Sequence, residues 1–325
     1  MRIAFVGKGG SGKTTLSALF SQFAKNKTSV LIIDADLNMH LAPLLGFETK
    51  LSQKVHLSHP LAAKVIKEYL RGKNERIKEL NHFRKTTPPT KDSNFIILHD
   101  VNNPMLKQFS VGNPSFRLMT VGTYDTDDIG TSCYHNNLAI LENILSHLID
   151  TKGLVVTDMV AGVDAFANTL HAQFDMIVLA VEPTKLGLEV FNQYKKLADD
   201  AGVGDLLFAV GNKTRNDTDE NFIIKHIPKD KLIGFLSDSN YLRTKDQEDG
   251  ALEIGRLEKE NIELFATIYD KLSRLKPDYQ KRLLKLYSLH RRYVAQDFIR
   301  QSYGDLSNQI DHVFSIEKVI EKYDQ

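Results

Sequence analysis

The residues of this chain best suited to chemistry form one short block near its start. Residues 7–15 are Gly-Lys-Gly-Gly-Ser-Gly-Lys-Thr-Thr, and they follow the apolar run Ile3–Val6. This is the phosphate-loop pattern G-x-x-x-x-G-K-[ST] between a predicted strand and a predicted helix, which is the context that supports it. Glycines let backbone N–H groups face phosphate oxygens, and the N-terminus of the next helix adds partial positive charge. The block therefore predicts a nucleoside triphosphate site.

The same chemistry gives roles to individual loop residues. We expect Lys13 to bridge the outer phosphates of the nucleotide and the Thr14 hydroxyl to hold Mg²⁺. The alternative is a chance match in a glycine-rich turn, which the flanking strand and helix disfavour. The other positions expected to contact the nucleotide are Gly9, Gly10, Ser11, Gly12 and Thr15.

Lys8 narrows the class of nucleotide-binding protein. Residues 8–15 match K-G-G-x-G-K-T-[ST], and this resembles the deviant Walker A loop of the SIMIBI-class ATPases, such as MinD, ParA and the nitrogenase iron protein. The resemblance implies an ATP-dependent homodimer in which Lys8 reaches phosphates held by the other subunit. A cation there would stabilise the charge that develops as ATP is hydrolysed to ADP and phosphate. The alternative is a solvated loop lysine.

Acidic residues follow two further predicted strands. Asp34 and Asp36 come after Ser29–Ile33, where ligands bind in parallel sheets, and Asp158 follows Leu154–Thr157 in a Walker B arrangement that binds Mg²⁺. The family resemblance implies that Asp36 orients the attacking water, although Leu37 replaces the proline usual in the family. Asp34 is expected to support the loop or the metal shell. Both aspartates could instead cap a helix.

Three later residues complete the predicted nucleotide site. The N–H of Gly162 could donate to the terminal phosphate and couple the nucleotide to the position of its loop, or Gly162 could simply form a turn. The resemblance implies that Asn212 binds the adenine edge, for which an amide that both donates and accepts is suited. Lys213, the next residue, is expected to contact the nucleotide as well.

A second resemblance concerns the branch of the family. Residues 158–162, Asp-Met-Val-Ala-Gly, resemble the D-M-E-A-G segment of CooC-like carbon monoxide dehydrogenase maturation factors, whose interface Cys-x-Cys motif binds nickel or zinc. The resemblance extends over about residues 1–270, but here the motif is Cys133-Tyr134-His135. Two subunits would supply two thiolates and two imidazoles, which Zn²⁺ and Ni²⁺ accept. The alternative is an interface loop without metal.

The elements that must position these residues alternate in type. Apolar runs separated by helical patterns predict an α/β fold: a doubly wound, mostly parallel sheet with helices on both faces, as in P-loop NTPases. We expect an ATPase domain over 1–270 with a polar insertion at about 50–93, and an appended C-terminal helical region over 271–325. The predicted strands are Ile3–Val6, Ser29–Ile33, either Phe95–His99 or Arg117–Val121, Gly153–Thr157, Met176–Val181, Leu206–Val210 and Leu232–Phe235.

Composition limits the alternatives. The chain of 325 residues has 42 Lys and Arg against 41 Asp and Glu, so its overall charge does not indicate a nucleic-acid partner. Cys133 is its one cysteine, which excludes an intramolecular disulfide and fits a reducing compartment. We find neither a signal peptide nor a transmembrane segment and expect a cytoplasmic protein.

The C-terminal region leaves the partner open. Residues 271–300 contain nine Lys or Arg and two Asp or Glu, interleaved with apolar residues. Such helices could present a basic face to a membrane, nucleic acid or protein, or could pack on the core with a solvated face. Three functions therefore remain: a metallocentre maturation ATPase with a metalloenzyme client, a ParA/MinD-like partition or positioning ATPase, and a nucleotide-regulated adaptor.

Overall fold

A central parallel sheet organises the chain. The computed structural model describes residues 1–51, 54–123, 134–162, 166, 169–248 and 250–324. Eight strands within these ranges form one sheet of order β10-β9-β8-β1-β7-β2-β5-β4, in which only the pair β4–β5 is antiparallel; β3 and β6 pair separately. The strands are β1 Arg2–Gly7, β2 Val30–Ala35, β3 Ile96–Ile97, β4 Val111–Asn113, β5 Phe116–Thr120, β6 Leu148–Ile149, β7 Leu154–Met159, β8 Met176–Val181, β9 Leu207–Thr214 and β10 Leu232–Ser237.

The helices follow the predicted alternation. The sequence predicted a strand at either Phe95–His99 or Arg117–Val121. The structure has a strand in each of these regions, but only β5 joins the main sheet. The helices of the described residues are α1 Lys13–Ala24, α2 Leu41–Leu44, α3 Glu48–Leu51, α4 Pro60–Arg71, α5 Pro104–Phe109, α6 Tyr134–Ser146, α7 Lys185–Asp200, α8 Asp217–His226, α9 Asn240–Lys245, α10 Lys259–Ser273, α11 Tyr279–Val294, α12 Asp297–Tyr303 and α13 Ile316–Asp324.

Helices cover both faces of this sheet, which confirms the predicted fold class. Alternate residues of β1 enter different cores: Ala4 and Val6 pack with α4, α6 and α7, whereas Ile3 and Phe5 pack with α1 and α10. Central strands buried on both faces are therefore continuously apolar. No helix in the described part of the chain is both long and apolar enough to cross a membrane.

The segment over 50–93 contributes to this core despite its polar composition. Ile66, Leu70 and Phe83 lie in the same apolar cluster as β1. Its buried threonines meet C-terminal residues: Thr86 lies 3.0 Å from Nδ1 of His290, and the Thr87 hydroxyl donates to Gln309 Oε1 at 2.9 Å. Burial of polar groups is tolerated here because each has a hydrogen-bond partner.

The C-terminal helices pack against the sheet near the amino ends of its strands. Helices α11 and α13 form an apolar cluster with β3 and β6. Beside it, the Arg282 guanidinium donates to Asp175 Oδ1 at 2.6 Å, and Arg2 forms a 2.8 Å ion pair with Asp150. Residues 271–324 thus pack tightly on the rest of the chain, and the domain boundary that we place at 270 falls within α10.

Candidate functional site

The phosphate loop connects the central strand β1 to α1. Gly10 and Gly12 adopt φ angles of 79° and 86°, in the left-handed region that favours glycine. A Cβ at Gly12 would also lie 2.3 Å from Nδ2 of Asn212. β1 lies between β8 and β7 in the sheet, and the loop follows its carboxyl end. The loop therefore opens at the carboxyl edge of the sheet, where ligands bind in such folds.

Lys13 and Asp36 meet inside this site. Lys13 Nζ lies 2.5 Å from Oδ2 of Asp36, and both side chains are almost fully buried. The other carboxylate oxygen of Asp36 accepts hydrogen bonds from the backbone and side-chain nitrogens of Asn38, each at 3.1 Å. The ion pair neutralises a lysine that would otherwise be a buried, unpaired charge. The structure thus brings together two residues that were singled out separately in the sequence.

Asp158 lies behind this pair, at the end of β7. It is fully buried; Ser17 donates to its Oδ1 at 3.2 Å, whereas Oδ2 has no well-formed hydrogen bond to a described residue. Burial raises the pKa of Asp158, and the Lys13 charge and the Thr14 and Ser17 hydroxyls oppose that effect. An unsatisfied oxygen on a carboxylate that lies near the Thr14 hydroxyl fits a hard cation such as Mg²⁺.

Asp34 has a different role from its neighbour. Its Oδ1 accepts the N–H of Asp36 at 3.2 Å, and its Oδ2 accepts the N–H of Leu41 at 3.1 Å. Burial raises the pKa of Asp34, and the nearby Asp158 carboxylate raises it further. Because both oxygens bind backbone, Asp34 shapes the turn after β2 and the start of α2, as expected of a supporting residue.

A cleft beside the loop offers room for the remainder of a nucleotide. Its volume is about 140 Å³, and Gly12, Thr15 and Asn212 lie along its wall. Asn212 Nδ2 donates to the Ser11 carbonyl at 2.5 Å, and Lys213 Nζ donates to the Gly10 carbonyl at 2.6 Å. Both residues after β9 therefore hold the phosphate loop in place.

Other residues along the wall of this cleft were not predicted from the sequence. Ser239 begins α9 as its N-cap, accepting the Leu242 N–H at 3.2 Å, and Asp238 and Arg243 form an ion pair beside it. These residues follow β10, so the rule that ligands bind beyond the carboxyl ends of parallel strands was the available signal. They carry no recognisable motif, which is why the sequence did not reveal them.

Gly162 lies directly across from the start of the loop. Its φ angle is 85°, and its N–H donates to the Gly7 carbonyl at 3.0 Å. The Tyr194 hydroxyl donates to the Gly162 carbonyl. A contact between this N–H and a terminal phosphate would therefore require the bond to Gly7 to be exchanged.

The structure describes the remaining predicted residues to different extents. Lys8, Gly9 and Gly10 are exposed on the loop, whereas Ser11 is buried. Cys133 lies outside the described residues, and of His135 only the backbone is described, at the start of α6. Described residues alone form no group of three or more His, Cys, Asp or Glu side chains placed to hold a metal ion. Mg²⁺ does not require one, because phosphates and waters supply most of its ligands.

Comparison with known proteins agrees with this geometry. Residues 3–252 match the model of the CobQ/CobB/MinD/ParA nucleotide binding domain. An ATP-binding protein of Methanocaldococcus jannaschii is 32% identical over 245 residues, covering 73% of this chain and 84% of that protein. The carbon monoxide dehydrogenase accessory protein CooC of Rhodospirillum rubrum is 26% identical over 249 residues, covering 76% and 87%.

A solved structure supports the fold. The AMPPNP-bound plasmid partition protein of Borrelia burgdorferi superimposes with a TM-score of 0.56 at 16% identity, covering 84% of this chain and 99% of that one. At this identity the likeness concerns architecture alone. The sequence match, in contrast, spans the phosphate loop, the aspartates after β2 and β7, and Asn212. The chain belongs to the CobQ/CobB/MinD/ParA nucleotide-binding domain family.

Proposed function

We propose that this protein is a Mg²⁺-dependent, dimerising ATPase that serves as a nickel insertion or maturation factor for a metalloenzyme in the cytoplasm. The observation that carries the ATPase proposal is the 2.5 Å contact of Lys13 with Asp36 beside the phosphate loop. The maturation role rests on similarity to CooC, 26% identical over 249 residues, and on the Cys133-Tyr134-His135 segment.

The Lys13–Asp36 pair suggests how binding prepares hydrolysis. A triphosphate entering the loop competes with Asp36 for the Lys13 ammonium, because the phosphates carry more negative charge than one carboxylate. Asp36 is then free to accept a hydrogen bond from water and orient it towards the γ-phosphorus. The water oxygen bonds to that phosphorus while the bond to the β–γ bridging oxygen breaks, and a proton of the water passes to an oxygen of the phosphate that forms, giving ADP and phosphate.

Thr14 and Asp158 are the residues that would hold Mg²⁺. The cation neutralises the charge that builds up on the phosphate oxygens. Asp158 is well suited to support it, because its Oδ2 is buried without a well-formed hydrogen bond to a described residue. Ser17 fixes the orientation of the carboxylate through its bond to Oδ1.

Lys8 is our candidate for a cross-subunit contact. It is exposed at the edge of the loop, and the described residues offer it no ion pair. A lysine positioned this way is free to meet phosphates on a second copy of the chain, where it would stabilise the transition state. Hydrolysis would then depend on dimerisation.

The metal cargo can be tested by elemental analysis. Purified protein would be exposed to Ni²⁺ or Zn²⁺ with and without ATP, and wild type compared with Cys133→Ser. We expect ATP-dependent retention of metal, about one ion per dimer if both subunits contribute ligands, and its loss in Cys133→Ser. Absence of metal from every wild-type sample would refute the insertion role while leaving the ATPase proposal intact.

One observation favours the partition or positioning alternative. On α11, Lys281, Arg291 and Arg292 are exposed, and Leu284 between them is 55% exposed. A basic face with an apolar residue suits DNA or an anionic membrane. ATP-dependent binding to duplex DNA that weakens steeply with salt, or binding to anionic but not neutral vesicles, would favour this function over metal insertion.

A further inference from the structure

A second cavity lies at the edge of the sheet, apart from the phosphate loop. It has a volume of about 410 Å³ and surrounds the edge strand β4, between α3 on one side and α5 on the other. Three strands, β7, β2 and β5, separate β4 from the central strand β1 that carries the loop. This cavity therefore cannot be part of the nucleotide site.

The charge of this cavity has one sign. Four cationic side chains lie along its wall, and no Asp or Glu lines it among the described residues. Lys54 and Lys107 are held in place: Lys54 Nζ donates to the Lys107 carbonyl at 3.0 Å, and Lys107 Nζ donates to Asn102 Oδ1 at 2.8 Å. The four cations are Lys50, Lys54, Lys107 and Arg117.

Arg117 is the residue that distinguishes this cavity from an ordinary basic surface. The residue is only 6% exposed, yet its Nε makes no hydrogen bond to any described residue. The nearest acidic influence is Asp100, and burial outweighs it, so that the pKa of Arg117 is lowered. A buried guanidinium N–H without an acceptor costs free energy, and an incoming anion would relieve that cost.

A glycine lies opposite Arg117 in the neighbouring strand. Gly112 of β4 pairs with Arg117 of β5, and its φ angle is 107°. A Cβ on Gly112 would lie 2.2 Å from the Phe116 carbonyl oxygen and 3.1 Å from the Phe47 ring. Glycine is therefore required here by the backbone conformation and by the close approach of Phe116.

We propose that this cavity binds a phosphate group, with Arg117 as its main ligand and Lys50 and Lys107 supporting it. A guanidinium matches the oxygens of a phosphate with paired N–H donors, and lysines add charge without directional demands. Lysines are also common at sheet edges, where they prevent association of exposed strands. That role would account for lysines near the edge strand, but it gives no reason to bury the Nε of Arg117 without a hydrogen bond to a described residue.

The test is a titration of the full chain with inorganic phosphate, measured by calorimetry. The ionic strength is held constant, and chloride is the reference anion. Phosphate can also enter the loop at residues 7–15, so the titration is repeated in Lys13→Ala. We expect a site that persists in Lys13→Ala and is weakened about tenfold or more by Arg117→Gln in that background. Phenyl phosphate that binds more tightly than inorganic phosphate would identify a larger phosphorylated ligand; equal affinity would identify the free anion.

Two further variants make the result decisive. Lys50→Gln changes an exposed side chain, so it tests the cavity even if Arg117→Gln does not fold. Lys259→Gln removes an equally exposed lysine from α10, far along the chain, and serves as the matched control. The proposal is overturned if phosphate binding disappears in Lys13→Ala alone, or if Lys50→Gln weakens binding no more than Lys259→Gln does.

Discussion

Nζ of Lys13 lies 2.5 Å from Oδ2 of Asp36, beside the phosphate loop. Two residues that the proposed mechanism directs at the same phosphoryl group are thus in contact with each other. The proposal requires this ion pair to be exchanged for contacts to phosphate and water when ATP binds. Its consequences can be measured.

Asp36→Asn should separate binding from hydrolysis. Asparagine retains the size of the side chain but attracts neither Lys13 nor a water proton as strongly, so we expect ATP to bind at least as tightly as in wild type. Phosphate release should fall by about a hundredfold or more, the scale expected when a carboxylate that accepts a hydrogen bond from the reacting water is lost. Steady-state phosphate release and equilibrium ATP binding measure the two effects. Equal turnover in both proteins would rule out a catalytic role for Asp36.

Lys8→Ala should uncouple ATP binding from dimerisation. Since Lys8 is exposed and its proposed partner lies on another subunit, we expect normal ATP binding and a monomer in sedimentation velocity with ATP present. Hydrolysis should fall about a thousandfold, as when a cation supplied in trans is lost. Lys259→Ala, which removes an exposed lysine elsewhere, is the control. If the Lys8→Ala protein dimerises like wild type, the proposed cross-subunit role of Lys8 is wrong.

Gly12→Ala should weaken nucleotide binding through the backbone. Gly12 has a φ angle of 86°, and the added Cβ would displace the buried Asn212 amide that holds the Ser11 carbonyl. We expect the ATP dissociation constant to rise by about tenfold or more, the effect of roughly 1.4 kcal/mol. Gly255→Ala, with open space around its Cβ position, is the matched control. Similar affinities in the two variants would contradict this view of the loop.

Arg282→Met should destabilise the whole chain. Arg282 and Asp175 form a buried 2.6 Å ion pair between α11 and the base of the sheet, and the substitution leaves the carboxylate uncompensated. We expect the free energy of unfolding to fall by about 3 kcal/mol in urea denaturation. Lys195→Met breaks an exposed pair with Asp199 and should cost less than about 1 kcal/mol. If both variants lose the same amount, α11 is not anchored by this contact.

His147 should make stability fall in mild acid. It is fully buried between the rings of Phe83 and Phe95, and burial lowers its pKa from 6.5 to about 4. The unfolded chain therefore binds the proton first, and stability present above pH 6.5 is lost as the pH falls towards 4. Between pH 7 and pH 5 this amounts to about 2 kcal/mol.

The contribution of His147 can be isolated by substitution. His147→Phe should reduce the loss of unfolding free energy between pH 7 and pH 5 by that amount, because phenylalanine keeps an aromatic ring at this position and takes up no proton. His312→Gln, which changes an exposed histidine, is the matched control. An identical pH profile for wild type and His147→Phe would show that other groups dominate acid unfolding.

Much of the fold could be predicted because its signals are local. The phosphate loop, the apolar strands and the aspartates after β2 and β7 are visible as short patterns, and parallel strands buried on both faces require continuous apolar runs. The polar segment over 50–93 was harder, because Thr86 and Thr87 are buried only by virtue of bonds to His290 and Gln309, more than 200 residues away in sequence. No local pattern encodes such partners.

The sequence by itself determined that this chain has a triphosphate site of a known family, since backbone-lined phosphate binding demands glycines, lysine and threonine at set spacings. Only the tertiary structure decided that Lys13 meets Asp36, that Arg282 is a buried anchor rather than part of a solvated face, and that Arg117 lies in a basic cavity. These relationships depend on the order in which strands pack side by side. Periodicity along a chain records which residues are buried, but not against which others.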